Sequence, residues 1–285
     1  MDENSLKFRA EQADRVAVIN SITDCISLVE LNLNDACNRK CFFCPRSTDK
    51  FKNTKSYASK KTLMKIRDRL LEINYKGDIE ISGFSEPLLY RYISSAVTIF
   101  NSLKVDINII TNGDIITADI IRRLSRRGVK KFLVNCYDSE EQCQHIQNIF
   151  NNANLQDSLI MRKNYEITTD NIYLNNRAGN IDLEFPKRVL NRCYVPFYKM
   201  IIDHDGSYLL CAQDWSRITK KHNIFTTSIS EYLNSTHVVE YFKNLIAGKR
   251  TGLCDGCNVV GTFFGKPMFD FISDVYKIDR TDSSP

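Results

Sequence analysis

Residues 26–44 read Ile26-Ser-Leu-Val-Glu-Leu-Asn-Leu-Asn-Asp-Ala-Cys37-Asn-Arg-Lys-Cys41-Phe-Phe-Cys44. The first eight largely alternate apolar and polar with period two, which predicts a strand with two unlike faces. Three thiols spaced C-x3-C-x2-C follow it directly. Thiols this close wrap one small inorganic centre, and three thiolates on a four-iron cluster leave one iron without a protein ligand. A reactive loop at the C-terminal end of a strand is where α/β barrels build their sites.

Working outward, residues 62–73 carry Leu63, Ile66, Leu70 and Ile73 at helical spacing, and Lys76-Gly77 ends that helix before a strand at 78–82. The alternation repeats with a helix near 92–100, a strand at 105–110, a helix at 118–127, a strand at 131–135 and a helix at 140–150. Successive β/α units predict a parallel sheet with crossover helices. Beyond 150 the apolar runs shorten, at 158–162 and 172–174, before Arg177-Ala-Gly179. A hairpin is expected from 199–202 and 208–210 around Asp203-His-Asp-Gly206, then one amphipathic helix over 229–247.

The 285 residues, 43% of them hydrophobic, suffice for a large domain and a smaller appendage. A net charge of +5 is too weak to argue for nucleic acid. The densest basic stretch, Arg122, Arg123, Arg126, Arg127, Lys130 and Lys131, follows the spacing of a solvated helix face with Ile120, Ile121 and Leu124 inward. The first twenty residues lack an apolar targeting segment, and no run approaches the roughly 18 apolar residues of a membrane span. A cytoplasmic protein with neither a nucleic-acid nor a membrane partner is expected. Ten cysteines in a reducing compartment read as metal ligands rather than disulfides.

A structural zinc site is the plain alternative for Cys37, Cys41 and Cys44, but no histidine lies between Cys44 and His145 to complete it. With Phe42-Phe43 inside the triplet and Pro45 after it, the loop resembles that of the radical S-adenosylmethionine (SAM) superfamily. Ser82-Gly83-Phe84-Ser85-Glu86-Pro87 resembles the GGEP stretch of that family, with Ser85 where glycine is usual, and Thr111-Asn112-Gly113 resembles its TNG signature. The resemblance implies a [4Fe-4S] cluster on Cys37, Cys41 and Cys44 that chelates SAM. It further implies SAM contacts from Phe43, Gly83, Ser85, Glu86, Thr111, Asn112 and Asn135.

Cys193, Cys211, Cys254 and Cys257 form a second set, in which four thiols suit either a closed [4Fe-4S] cluster or a four-cysteine zinc site. The order of Arg177, Cys193, hairpin, Cys211, helix and C-x2-C resembles the auxiliary-cluster region called SPASM. Since no cysteine follows Cys257, its shortened twitch form is the better match. The resemblance implies an α/β fold: a partial (β/α)6 TIM barrel over 26–180 and a small α+β twitch-type region over 181–260, with a lead-in at 1–25 and a tail at 261–285. The spacing is similar to that of the 2-deoxy-scyllo-inosamine dehydrogenases, which oxidise a secondary alcohol of an aminocyclitol. From this follow an oxidoreductase, a sugar or aminocyclitol substrate, substrate contact by Arg177, an auxiliary cluster as electron acceptor, and an external donor such as flavodoxin or ferredoxin.

Cys25, Cys136 and Cys143 read as small buried hydrophobes. An epimerase is the first rival reading of the function: in it Cys136, after Asn135 at a strand end, would face the cavity and return a hydrogen atom. Peptide maturation is the second, although residues 1–25 are too few for a peptide-binding extension. A non-catalytic zinc or electron-transfer protein is the rival from another class.

Overall fold

The computed structural model describes residues 3–165, 175–182 and 192–278. Helix α1 (Glu3–Ala13) precedes four β/α steps and a fifth strand: β1 (Leu28–Leu31), α2 (Lys60–Glu72), β2 (Asp78–Ile81), α3 (Ile93–Asn101), β3 (Ile107–Thr111), α4 (Ala118–Ser125), β4 (Val129–Cys136), α5 (Glu140–Ala153) and β5 (Leu159–Lys163). The short helical turn α6 (Val195–Tyr198) then leads into β6 (Lys199–Ile202) and β7 (Tyr208–Leu209), followed by α7 (Ile229–Leu233), α8 (Thr236–Ile246) and α9 (Lys266–Val275). The seven strands form one sheet ordered β5-β4-β3-β2-β1-β6-β7, with only the β6–β7 pair antiparallel. This is the parallel sheet that the alternation implied, and the partial barrel that the resemblance implied.

Each strand sends alternate residues to opposite faces. Val29, Leu31, Ile79, Ile81, Ile107, Ile109, Phe132 and Val134 face the helix layer and share one core with Leu63, Ile66, Phe100, Leu124, Ile146 and Phe150. Burying such a side chain contributes about 1.5–3 kcal/mol. Serine and threonine caps start several helices, Ser59 accepting from Thr62 N and Thr117 from Ile120 N.

The other face of the sheet is polar. Lys199 forms ion pairs with Glu30 and, at 3.4 Å, with Glu80, which also takes Arg9 at 3.1 Å. Asp78 pairs with Arg15 at 2.7 Å. Burial opposes ionisation of Glu80, but Arg9 and then Lys199 outweigh it and hold the carboxylate low. The N-terminal helix therefore does more than lead in: Phe8 packs with Leu133 and Ile160 inside the barrel, and Arg9 completes the ion-pair cluster.

Three expectations about the C-terminal third change. The hairpin forms where expected, yet its first strand pairs with β1 in parallel, Leu28 opposite Lys199 and Leu31 opposite Ile202, so the two regions share one sheet. The single helix over 229–247 is two helices, because Ser235 caps a fresh start by accepting from Val238 N. The tail after 260 includes α9, whose Phe269 packs on Tyr194 and Phe197 with ring centroids 4.5 and 4.9 Å away. The helical part of the basic stretch behaves as read, with Ile121 and Leu124 buried and Arg123 exposed, while Lys130 and Lys131 stand on β4. The run at 172–174 lies outside the described residues. Among the described residues no helix is long and apolar enough to cross a membrane.

Candidate active site

The loop after β1 carries the first three thiols and is held from several sides. Asn53 brackets Cys37, accepting from its N at 3.0 Å and donating to its O at 2.8 Å. Cys44 N closes a turn on Cys41 O at 2.9 Å. Arg39 reaches across to two neighbouring strand ends, donating to Asp114 and Asp138 at 2.7 Å each. Arg46 is buried beneath the loop, with Nε donating to Phe84 O at 2.6 Å and a terminal nitrogen to Asp35 at 2.8 Å.

Cys37, Cys41 and Cys44 open on a cavity of about 780 Å³, and Cys193, Cys211, Cys254 and Cys257 line the same cavity. Among the described residues, no three His, Cys, Asp or Glu side chains converge as a single-ion site requires. Thiolates on one zinc stand only about 3.8 Å apart, given arms of about 2.3 Å. Burial first, then neighbouring thiols, push Cys41 up to about 11 and Cys254 up to about 12. Buried thiols gathered this way ionise together only around a strongly cationic centre. A set of three and a set of four fit an open and a closed four-iron cluster.

The second set is built by contacts from beyond residue 250. Cys193 pairs with Gly261 in a parallel bridge, and Tyr194 N donates to Gly261 O at 2.7 Å. The Arg250 guanidinium clamps the Cys254–Cys257 knuckle by donating to Cys257 O at 3.1 Å and Val259 O at 3.0 Å.

The other expected residues divide into two groups. Phe43, Gly83, Ser85, Asn135 and Arg177 line the cavity. Gly83 needs its missing side chain: its φ is +101°, and a Cβ would stand 2.6 Å from Asn32 Cβ. Glu86, Thr111 and Asn112 instead stand behind the wall. The Glu86 carboxylate accepts from Thr111 Oγ1 at 2.7 Å, Asn112 N at 2.8 Å and Leu88 N at 2.9 Å. Burial raises Glu86 despite these bonds, so it organises the strand ends from a nearly closed position. Asn112 touches the cysteine loop, with Nδ2 2.8 Å from Asn38 Oδ1 and 3.9 Å from Cys37 Sγ.

Cys136 does not reach the cavity. It is buried in the helix-side core against Cys143, and burial followed by that contact pushes its thiol up. Adjacent residues on a strand face opposite ways, so Asn135 at the cavity turns Cys136 away. Cys25 and Cys143 are also buried in that core. Among the described residues, every cysteine lining the cavity belongs to the set of three or the set of four.

Several site residues went unread. Arg9, Glu30, Glu80 and Lys199 also line the cavity; the last three are legible as the polar half of the strand alternation once that face is known to point inward, whereas Arg9 comes from α1. Asn32 accepts from Phe84 N and Ser85 Oγ, both at 3.1 Å, and donates to Asp203 at 2.6 Å. Asp203 also takes Arg217 Nε at 2.6 Å. The loop at Gly83–Ser85 is thus braced from β6 and the chain after β7.

A model of the radical SAM superfamily matches residues 31–173, half of the chain, and a model of an iron-sulfur cluster-binding domain, SPASM, matches 193–258. The chain is 27% identical over 241 residues to the S-adenosyl-L-methionine-dependent 2-deoxy-scyllo-inosamine dehydrogenase of Niallia circulans, covering 82% of this chain and 93% of the relative. Its fold is similar to the crystal structure of BtrN in complex with AdoMet and 2-DOIA, with a TM-score of 0.73, 23% identity and coverage of 82% and 94%. It is also similar to native anSMEcpe with bound AdoMet, with a TM-score of 0.53, 14% identity and coverage of 89% and 98%.

Proposed function

Because the chain belongs to the radical SAM superfamily, we propose that it oxidises a hydroxyl of an aminocyclitol or sugar to a ketone. When bound, the reduced first cluster and SAM supply a 5′-deoxyadenosyl radical that takes a hydrogen atom from a substrate carbon. Cys37, Cys41 and Cys44 are proposed to hold that cluster, with Phe43, Gly83, Ser85 and Asn135 lining the SAM site. Glu86, Thr111 and Asn112 shape the same site from behind. An external donor, a flavodoxin or ferredoxin, is the proposed electron source.

The observation that carries this reading is one cavity lined by all seven thiols, in sets of three and four, with Arg177 also in its wall. Making a ketone from an alcohol removes, after the hydrogen atom leaves carbon, a second electron and the hydroxyl proton, the proton passing to solvent. Cys193, Cys211, Cys254 and Cys257 hold the proposed acceptor, within reach of the same substrate. Arg177 is the proposed contact to the substrate: its Nε is buried and has no hydrogen-bond partner among the described residues. The cavity has to exclude water and hold the substrate carbon at near-attack distance for such a radical to act.

The epimerase reading has no support from Cys136, since its thiol lies in the core. Anaerobically reconstituted protein, incubated with SAM, dithionite and 2-deoxy-scyllo-inosamine, is expected to form 5′-deoxyadenosine and a ketone in equal amounts. Regenerated SAM, or solvent deuterium in an otherwise unchanged substrate, would overturn the dehydrogenase assignment.

A further inference from the structure

Arg177 sits in an unfavourable backbone. Arg177 and Ala178 both adopt left-handed conformations, with φ of 50° and 51°, and Gly179 continues at 79°. Two consecutive non-glycine residues in that region persist only when their surroundings hold them there. The holding contacts are on either side. Asn176 N donates to Asn258 Oδ1 at 2.8 Å, and Asn258 N donates back to Asn176 Oδ1 at 3.3 Å. Asn176 Nδ2 also donates to Gly256 O at 2.6 Å. On the far side, Asn180 Nδ2 donates to Arg177 O at 2.8 Å, while Asn180 Oδ1 accepts from Ser216 Oγ at 2.7 Å.

Gly256 lies inside the Cys254–Cys257 knuckle and Asn258 immediately follows it. We propose that Asn176 and Asn258 form a reciprocal bracket through which the knuckle of the auxiliary site positions Arg177 in the cavity. Both asparagines are positioning residues. The auxiliary region then has two separable jobs: holding its own centre and aiming the arginine at the substrate. This rests on the reading that Arg177 faces the substrate, but the bracket itself is testable without any substrate.

Hydrogen exchange of the reconstituted full chain, read by mass spectrometry on peptides covering 175–182, is the direct test. Asn176→Ala and Asn258→Ala are expected to speed exchange there by about tenfold or more. Iron should stay at about eight per chain. Asn258→Asp keeps the acceptor for Asn176 N and should exchange close to the native rate, which separates bracket loss from misfolding, whereas Asn176→Asp loses the donor to Gly256 O and should exchange faster. Unchanged exchange in the alanine variants overturns the proposal. So does loss of auxiliary-site iron in step with faster exchange, since the bracket would then serve the cluster rather than the arginine. Failure of the underlying reading looks different: Arg177→Lys would leave KM and kcat on 2-deoxy-scyllo-inosamine unchanged while the exchange results stand.

Discussion

Replacing Gly261 with alanine puts a methyl carbon 2.1 Å from Cys193 Sγ, 3.0 Å from its Cβ and 3.2 Å from its Cα. Ordinary contact for such atoms begins at about 3.5 Å, so the sulfur has to move by about 1.4 Å. A metal–ligand bond tolerates displacements of only about 0.2 Å. The backbones cannot easily part to make room, because Cys193 and Gly261 are bridged and Tyr194 N donates to Gly261 O at 2.7 Å. Gly261 does not need a positive φ, so alanine suits its backbone and the damage falls on the thiol. Gly261→Ala is therefore expected to weaken iron binding at the auxiliary site by at least about 100-fold. Iron and sulfide analysis should fall from about eight to about four irons per chain, with 5′-deoxyadenosine still formed from SAM and dithionite. A variant that keeps the full iron content and native spectra would refute the assignment of Cys193 as a ligand placed against Gly261.

Cys254→Ala should likewise halve the iron while sparing SAM cleavage, but abolish the ketone; ketone formation by the half-loaded protein would remove the auxiliary site from the reaction. Asp203→Asn should cost about 1.5–3 kcal/mol in urea melts at neutral pH, because a buried carboxylate bonded to Arg217 and Asn32 is lost. Burial opposes ionisation of Asp203, but His204 and Arg217 outweigh it and hold the group below the usual carboxylate range. Its contribution is thus fully present above a pH of about 4 and disappears as pH falls through the lower folded value. The native chain should lose stability in that acid window faster than Asp203→Asn does, and parallel curves would contradict this. Arg39→Ala removes the link from the cysteine loop to Asp114 and Asp138. A chelator should bleach the first cluster about threefold faster or more, with global stability changed by less than about 1 kcal/mol because the pairs are partly exposed; identical bleaching rates would show that the link does not steady the loop.

The parallel sheet was legible because its two signals are local, while its being a partial barrel came from the family resemblance. Period-two runs ending in cysteine or small polar residues mark strand ends, and helices between them carry their apolar residues at helical spacing. The seven thiols of the cavity were likewise legible, since spacings such as C-x3-C-x2-C constrain which sulfurs meet. Glu86, Thr111 and Asn112 were correctly placed at strand ends, but their sequence could not say whether side chains point into the cavity or back into the loops. The epimerase reading of Cys136 fails for a reason available in the sequence: that residue neighbours Asn135 on one strand, and only one of the two can face inward. Ser235 carried a capping signal that splits 229–247 in two, and the long apolar periodicity masked it.

The sequence alone determined the chemistry-bearing parts of this protein, because thiol spacing, strand alternation and helix periodicity are properties of consecutive residues. Tertiary structure decided how those parts share a space. Pairing of β6 with β1 joins two regions far apart in the chain into one sheet, Leu28 opposite Lys199, and so brings both thiol sets to one cavity. The same pairing sets Lys199 beside Glu30 and Glu80, with Arg9 added from α1. No local pattern encodes these contacts: each depends on which strand edge is free and which helix is left to cover the polar face, and only the folded chain as a whole settles that.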